Sequence, residues 1–278
     1  MSSDFARTRF ARGVIDTKPA ATGEIMAAVL AAELRDGERV SAGANSPVAR
    51  AAVMLAHLTH GPNMKVFAAM GFANWFGGSP PPATTIAMDA RAATGAEGYL
   101  RHDETLDAVP RLADLFFVGM LQADPYGNTN LIGLKKGTGR LAWRGGGALA
   151  TTTMATEVPR FYLMTERHTP EVFVEECDYV SCLGWGRPDR AGQSRADLGL
   201  AGGPAACITP LAVLHYPALA RRARIRSVHP GVSVEQVRAA TGFDLGPQAD
   251  VPVTPSPTPG ELQLLRTVID PGARLHRR

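Results

Sequence analysis

Apolar side chains at Ile25, Val29, Leu30 and Leu34 recur near helical spacing, which predicts a helix over 23–36 with Gly37 as its terminator. Arg39-Val40-Ser41-Ala42 reads as a short strand ending at Gly43. Ser46 and Pro47 then match a helix N-cap and a first-turn proline. Val48, Ala52, Leu55 and Leu58 carry that helix to the stop at Gly61-Pro62. The apolar run 64–70 predicts a second buried strand, so the segment is a βαβ unit.

Residues 75–105, with Gly77-Gly78 and three consecutive prolines at Pro80, Pro81 and Pro82, lack periodicity and are expected to be irregular. The run 115–120 is too short for a helix and predicts a buried strand. Asp124-Pro125-Tyr126-Gly127-Asn128 follows as a turn, with Gly127 or Asn128 suited to positive φ. Beyond a glycine-dense stretch over 133–147, strands are expected at 161–164, 179–182 and 212–214. Ser233-Val234-Glu235-Gln236 and Thr258-Pro259-Gly260-Glu261 fit the capping box of two late helices, the first closed by Gly242. The connector 246–259 is proline-rich and extended, and the last helix is expected to dock back on the domain or on a partner. The pattern as a whole is α/β: an open, mostly parallel sheet with flanking helices. The expected division is an N-terminal extension over 1–23, an α/β domain over 24–245, and a connector with a docking helix over 246–278.

A length of 278 residues with 45% hydrophobic and 20% charged positions excludes disorder. A formal net charge of +3 is too small to argue for nucleic acid and leaves a small acidic ligand open. No signal peptide or membrane span is read, so a cytoplasmic protein that does not engage membranes is expected. Cys177, Cys182 and Cys207 form no paired framework and are expected as buried free thiols. The seven histidines lack metal-site spacing, and His229, ahead of Pro230-Gly231, is assigned a structural role. Dinucleotide, P-loop and triad-hydrolase fingerprints are absent. Glu175 and Glu176 point to opposite faces if extended, so they do not make an acid/base pair.

Two places gather candidate chemistry. Gly43-Ala44-Asn45-Ser46-Pro47 joins a strand to a helix entry, where free N–H groups and the positive helix end favour a carboxylate, phosphate or oxyanion. Such junctions also occur without ligands in any α/β protein. Arg144-Gly145-Gly146-Gly147-Ala148 is the densest glycine cluster. Residues without Cβ let a ligand approach the main chain while Arg144 offers a guanidinium fork, with Thr151, Thr152 and Thr153 on the same wall. A flexible loop is the alternative there.

Several segments together resemble the β-type subunits of family I CoA-transferases of the glutaconate type, with the related steroid ring-cleaving hydrolase and glutaconyl-CoA-type decarboxylase β subunits. They are Ser41 through Pro47 with its helix, Gln122 through Asn130, Arg144 through Gly147, Phe173 through Asp178, His229 through Val232, and Glu261 through Pro271. The resemblance covers most of the chain from about residue 24 onward. It implies a CoA-transferase-type fold, an α-type partner forming the active site at a shared interface, and an acyl-CoA substrate. Coenzyme A is then part of the substrate, with no tightly bound cofactor. Transferases of this family attack the thioester with a glutamate at the end of the second strand. Here Met70 matches that position, followed by Gly71, and no Glu or Asp lies between Asn63 and Thr85. A thioether cannot be acylated. Either the partner supplies the carboxylate, or the reaction is hydrolysis, carbon–carbon cleavage or decarboxylation. In both cases Asn45, Ser46, Gly71 and Gly145, Gly146 and Gly147 are expected to contact the thioester. Met70 and Phe72 would line an apolar acyl pocket, and Arg144 would hold a substrate carboxylate. The rivals are a non-catalytic scaffold subunit and a stand-alone dinucleotide enzyme.

Overall fold

The computed structural model describes residues 18–43, 46–68, 71–74, 93, 95–137, 139–148, 150–248 and 250–276. In chain order, α1 (Thr22–Ala32) leads to β1 (Arg39–Ala42), α2 (Pro47–Thr59) and β2 (Lys65–Ala68). β1 and β2 pair in parallel from Arg39 opposite Lys65 to Ala42 opposite Ala68, so the expected βαβ unit is present. Short strands β3 (Phe72–Ala73) and β4 (Gly98–Tyr99) follow, then α3 (His102–Leu112) and β5 (Leu115–Gly119). Beyond β5 come two hairpins, β6 (Gln122–Ala123) with β7 (Thr129–Asn130), and β8 (Gly133–Lys136) with β9 (Arg140–Arg144). The chain continues through α4 (Thr151–Glu157), β10 (Arg160–Met164), β11 (Gly203–Ile208), β12 (Ala212–His215), β13 (Arg224–Val228), α5 (Val234–Ala239) and α6 (Pro259–Leu264).

Among the described residues the main sheet runs β13-β12-β11-β10-β5-β1-β2-β3-β4. Its centre, β11-β10-β5-β1-β2, is parallel, and antiparallel strands flank it on both sides. Both faces are covered, which is why the central strands read as unbroken apolar runs. Alternation divides them between two cores: Leu115, Phe117, Tyr162 and Met164 join α1 and α2 on one face. Phe116, Val118, Phe161 and Leu163 face the other, with Met154 and Ala155 of α4 and Val237 of α5. Each fully buried leucine or phenylalanine contributes roughly 2 kcal/mol. A π-helical turn, Leu265–Ile269, extends α6 and places Leu265 and Ile269 in the first core beside Leu275. Buried Glu24 of α1 receives Arg266 at 2.8 Å and His276 at 2.9 Å there.

Several expectations are corrected. Residues 179–182 form no strand: the segment meets the edge of β7 only at an isolated bridge between Cys182 and Thr129. The stretch 75–105 is not irregular throughout, since β4 lies within it and α3 begins at His102. α3 is mostly polar with a narrow buried stripe of Thr105, Val109 and Pro110, so its periodicity is faint. β11 and β13 extend the sheet beyond the expected strands: β11 opens Gly-Pro and is rich in small residues, and β13 alternates arginine with apolar side chains. The stretch 133–147 contains an ordered hairpin. α5 stops at Ala239, short of Gly242, whose N–H donates to the Phe173 carbonyl. Both capping boxes form as expected, with Ser233 accepting from the Gln236 amide and Thr258 from the Glu261 amide. The three cysteines are free and buried.

Candidate active site at the carboxyl edge of the sheet

The parallel strands end together at Ala42, Ala68, Gly119, Met164 and Ile208. From β1 the chain turns into α2 on one face. From β5 it leaves through the two hairpins towards α4 on the other. β1 and β5 are neighbours whose connections leave towards opposite faces, and such a switch point at the carboxyl edge is the usual ligand position in open α/β sheets.

Ser46 sits at this edge. Its hydroxyl donates to the Met164 thioether at 3.1 Å, tying the loop after β1 to the end of β10. It is therefore the N-cap residue of α2 by position but makes no side-chain cap, contrary to expectation. α2 has no acidic residue in its first turn, and its positive end is left uncompensated by this chain's local sequence. Asn45 and Met70 lie outside the described residues.

Gly71 is buried with φ +90°, and a Cβ there would lie 1.9 Å from the Leu100 carbonyl oxygen. Its N–H donates to the Ala68 carbonyl at 2.9 Å and its carbonyl accepts from the Leu100 amide at 2.8 Å. Its backbone is thus engaged in closing the turn between β2 and β3. Half-buried Phe72 packs against the first core, with its ring 5.4 Å from that of Tyr99.

The glycine cluster is less open than its composition implies. The Gly145 amide donates to the Ile132 carbonyl at 2.8 Å, and the Gly147 amide to the Leu131 carbonyl at 2.9 Å. A Cβ on Gly145 would meet the Leu131 oxygen at 2.5 Å and Leu121 Cδ1 at 2.6 Å. Leu121 lies just past the end of β5, so the cluster stands at the same edge of the sheet as Ser46. Gly146 differs from its neighbours: it is exposed, no heavy atom lies within 4 Å of its Cβ position, and its N–H has no partner among the described residues. Arg144 is exposed and makes no ion pair among the described residues. Thr152 is engaged, donating to the Ser181 carbonyl at 2.8 Å, and Thr151 donates to the Ala148 carbonyl.

A buried polar network holds this edge. Asn130 donates to the Gln122 side chain at 2.7 Å and to the Gly133 carbonyl at 2.8 Å, while Asp178 accepts from the Lys135 amide at 2.9 Å. These contacts fix the base of the β8–β9 hairpin. Asp124 accepts from the Tyr126 and Asn128 amides and from the Asn128 side chain, and burial still pushes its carboxyl up to about 6. Gly127 takes the positive φ of this turn, at 71°. The scaffolding role of Asn128, which also receives the Gly184 amide, rests on contacts remote in sequence. His168 bridges the Thr209 and Thr241 hydroxyls, and burial lowers its pKa to about 4. His229 bridges Thr254 and the Thr209 carbonyl, in keeping with a structural role. Burial raises the Cys182 thiol to about 12 and Cys207 further, which argues against a nucleophilic thiolate. Glu175 pairs with Arg222 and Glu176 with Arg190, not with each other. Among the described residues no cluster of metal-ligating side chains occurs, and no helix is long and apolar enough to cross a membrane.

No family model matches the chain. It is 30% identical over 263 residues to the B subunit of 3-oxoadipate CoA-transferase from Pseudomonas knackmussii, covering 89% of this chain and 92% of that one. It is 30% identical over 191 residues to the IpdB subunit of a cholesterol ring-cleaving hydrolase from Rhodococcus jostii, covering 68% and 72%. Glutaconate CoA-transferase from Acidaminococcus fermentans superposes with a TM-score of 0.81 at 23% identity, over 95% of this chain and 100% of that one. The decarboxylase AibA/AibB superposes with a TM-score of 0.76 at 22% identity, over 92% and 97%. The two structures share the fold of this chain.

Proposed function

The chain belongs to the family of CoA-transferase B subunits, and on that footing we propose that it is the B half of a heteromeric enzyme acting on an acyl-CoA thioester. The active site is completed by an A-type partner. This family includes a hydrolase subunit as well as transferase subunits. The reaction assigned to this chain is one in which it contributes no covalent carboxylate: hydrolysis, carbon–carbon cleavage or decarboxylation of the acyl-CoA, or transfer through a carboxylate of the partner.

The observation that carries this reading is the absence of Glu and Asp between Asn63 and Thr85, where the strand after α2 ends. An acyl group needs a nucleophilic side chain to form a covalent intermediate, and methionine at position 70 offers none. What the chain brings instead is stabilisation of charge. The Gly146 amide, without a partner among the described residues, and the positive end of α2 would face the thioester carbonyl oxygen, where negative charge develops in each of these reactions. Asn45 and Ser46 would add polar contacts from the loop after β1. Arg144 would hold a substrate carboxylate, and Met70 and Phe72 would border the acyl chain. Gly71, Gly145 and Gly147 would act through main-chain shape, since the amides of all three are engaged within the fold.

The test is co-expression with the partner subunit and an assay of acyl-CoA products and free thiol, with and without an added acceptor carboxylate. Free thiol without an acceptor supports thioester hydrolysis, whereas a new acyl-CoA formed without an acceptor, the thioester kept and a carbon–carbon bond cut or carbon dioxide released, supports cleavage or decarboxylation. Absolute dependence on an acceptor, with an acyl-CoA product, assigns transfer through the partner. No turnover of any thioester, with the complex intact, returns the chain to a scaffold role.

A further inference from the structure

The β8–β9 hairpin leads directly into the glycine cluster, and its side chains are unlike the rest of the surface. Between Asp124 and Glu157 the sequence has no acidic residue, yet it carries Lys135, Lys136, Arg140 and Arg144. Elsewhere arginines reach carboxylates: Arg39 to Asp114, Arg111 to Asp107, Arg160 to Glu38, Arg187 to Asp189 and Arg226 to Glu33. The four hairpin cations make no ion pair among the described residues, although Lys135 lies 4.5 Å from the Tyr179 ring centroid. Every residue of β9 is exposed, including Trp143 at 52% and Leu141 at 44%. Exposure of both faces of a strand means that the ribbon projects from the body, and it leaves the Trp143 indole open to stacking with a planar ligand.

Register places the cations and the indole together. Lys136 pairs with Arg140 and Leu134 with Trp143, with an irregularity between Leu134 and Lys135 that resets the alternation. Trp143 thereby shares a face with the Lys136–Arg140 pair. From Arg144 to Arg140 the strand extends about 13 Å, at roughly 3.3 Å per residue. The base of the hairpin is fixed by Asn130, Gln122 and Asp178, so the ribbon's direction is set by the fold.

We propose that this hairpin is the clasp for the nucleotide end of the thioester substrate, with Trp143 stacking on the adenine and Lys136 and Arg140 pairing with the 3′-phosphate and pyrophosphate. The occupant is chosen by chemistry: a purine, a 3′-phosphate and a pyrophosphate on one molecule match an indole and two cations on one face, next to the glycines assigned to the thioester. This inference rests on the reading of the substrate as an acyl-CoA.

Calorimetric titration of the co-purified complex with 3′-phosphoadenosine 5′-diphosphate and, separately, with pantetheine tests it. The clasp predicts nucleotide binding that weakens with salt, about tenfold loss for Trp143→Ala with recovery in Trp143→Phe, and about tenfold loss with a flatter salt dependence for Lys136→Ala/Arg140→Ala. Pantetheine binding and the KM of an acyl-pantetheine should not change. Unaltered nucleotide affinity in these variants, or loss of partner association with nucleotide affinity kept, overturns the clasp. Binding lost in the variants while the wild-type complex consumes no thioester leaves the clasp standing and removes the functional reading. Thioester turnover with an unchanged acyl-CoA KM in the variants does the reverse.

Discussion

Replacing Gly146 by alanine separates ligand contact from fold more sharply than any other substitution in the glycine cluster. A Cβ at this position meets no heavy atom of the described residues within 4 Å, and its φ lies outside the left-handed region. The change in stability is therefore expected within about 0.5 kcal/mol, or slightly favourable, because alanine restricts the unfolded chain. If the free amide faces the thioester oxygen, the new methyl group stands where the substrate approaches. The amide is kept, so the loss comes from holding the oxygen away from it, and it is at most that of losing one such donor, about 10²–10³ in turnover. Gly145→Ala is the contrasting variant: its Cβ at 2.5 Å from the Leu131 oxygen and 2.6 Å from Leu121 forces the loop to move, so activity and stability fall together. Thermal unfolding of each variant, paired with kcat/KM for an acyl-CoA in the reconstituted complex, checks both. A Gly146→Ala enzyme with wild-type melting and kcat/KM within about twofold of the parent would refute the placement of the thioester at this amide.

Three further outcomes concern the scaffold. Gly71→Ala combines φ +90° with a Cβ 1.9 Å from the Leu100 carbonyl oxygen, and urea unfolding should show a loss of at least about 2 kcal/mol; a loss below about 0.5 kcal/mol contradicts the geometry. Glu24→Gln leaves Arg266 at the junction of α1 with the C-terminal turn without its buried carboxylate, so stability should fall by about 3 kcal/mol or more and the tail should become sensitive to protease. His168 has its pKa lowered from 6.5 to about 4, so its contribution is complete above pH 6.5 and is lost as pH falls through 4. Asp124, raised from 3.8 to about 6, has the opposite sign: its contribution is complete below pH 3.8 and is lost as pH rises through 6. The stability gap between wild type and His168→Gln should therefore narrow by about 2–3 kcal/mol from pH 7 to 4.5, and a constant gap in pH-dependent urea titrations would contradict the burial of that ring.

The parts of the fold legible in the sequence are those specified by neighbours along the chain. α1, β1, α2 and β2 follow from apolar spacing and from Pro47 and Gly37, and the boxes at Ser233 and Thr258 are local hydrogen bonds between residues three apart. β11 is hidden from such a reading because Gly203 and Pro204 are poor strand residues; the sheet accommodates them at a register shift between Phe161 and Tyr162 of β10. Residues 179–182 have strand composition, but Val180 is exposed and the segment pairs with the β7 edge only at the Cys182–Thr129 bridge. At the candidate site the glycines are legible and their hydrogen-bonding state is not. The carbonyls that engage Gly145 and Gly147 belong to Ile132 and Leu131, and the oxygen that requires glycine at 71 belongs to Leu100. Such contacts are set by how loops cross at the carboxyl edge of the sheet, which hydrophobic periodicity does not encode.

The central claim is that this polypeptide shapes a thioester site without offering a side chain to be acylated. Intact-protein and peptide mass spectrometry of the partnered complex, quenched during turnover of an acyl-CoA, tests it most directly. The account predicts consumption of the thioester while every peptide of this chain keeps its unmodified mass. A coenzyme A or acyl adduct on a carboxylate of this chain would contradict it.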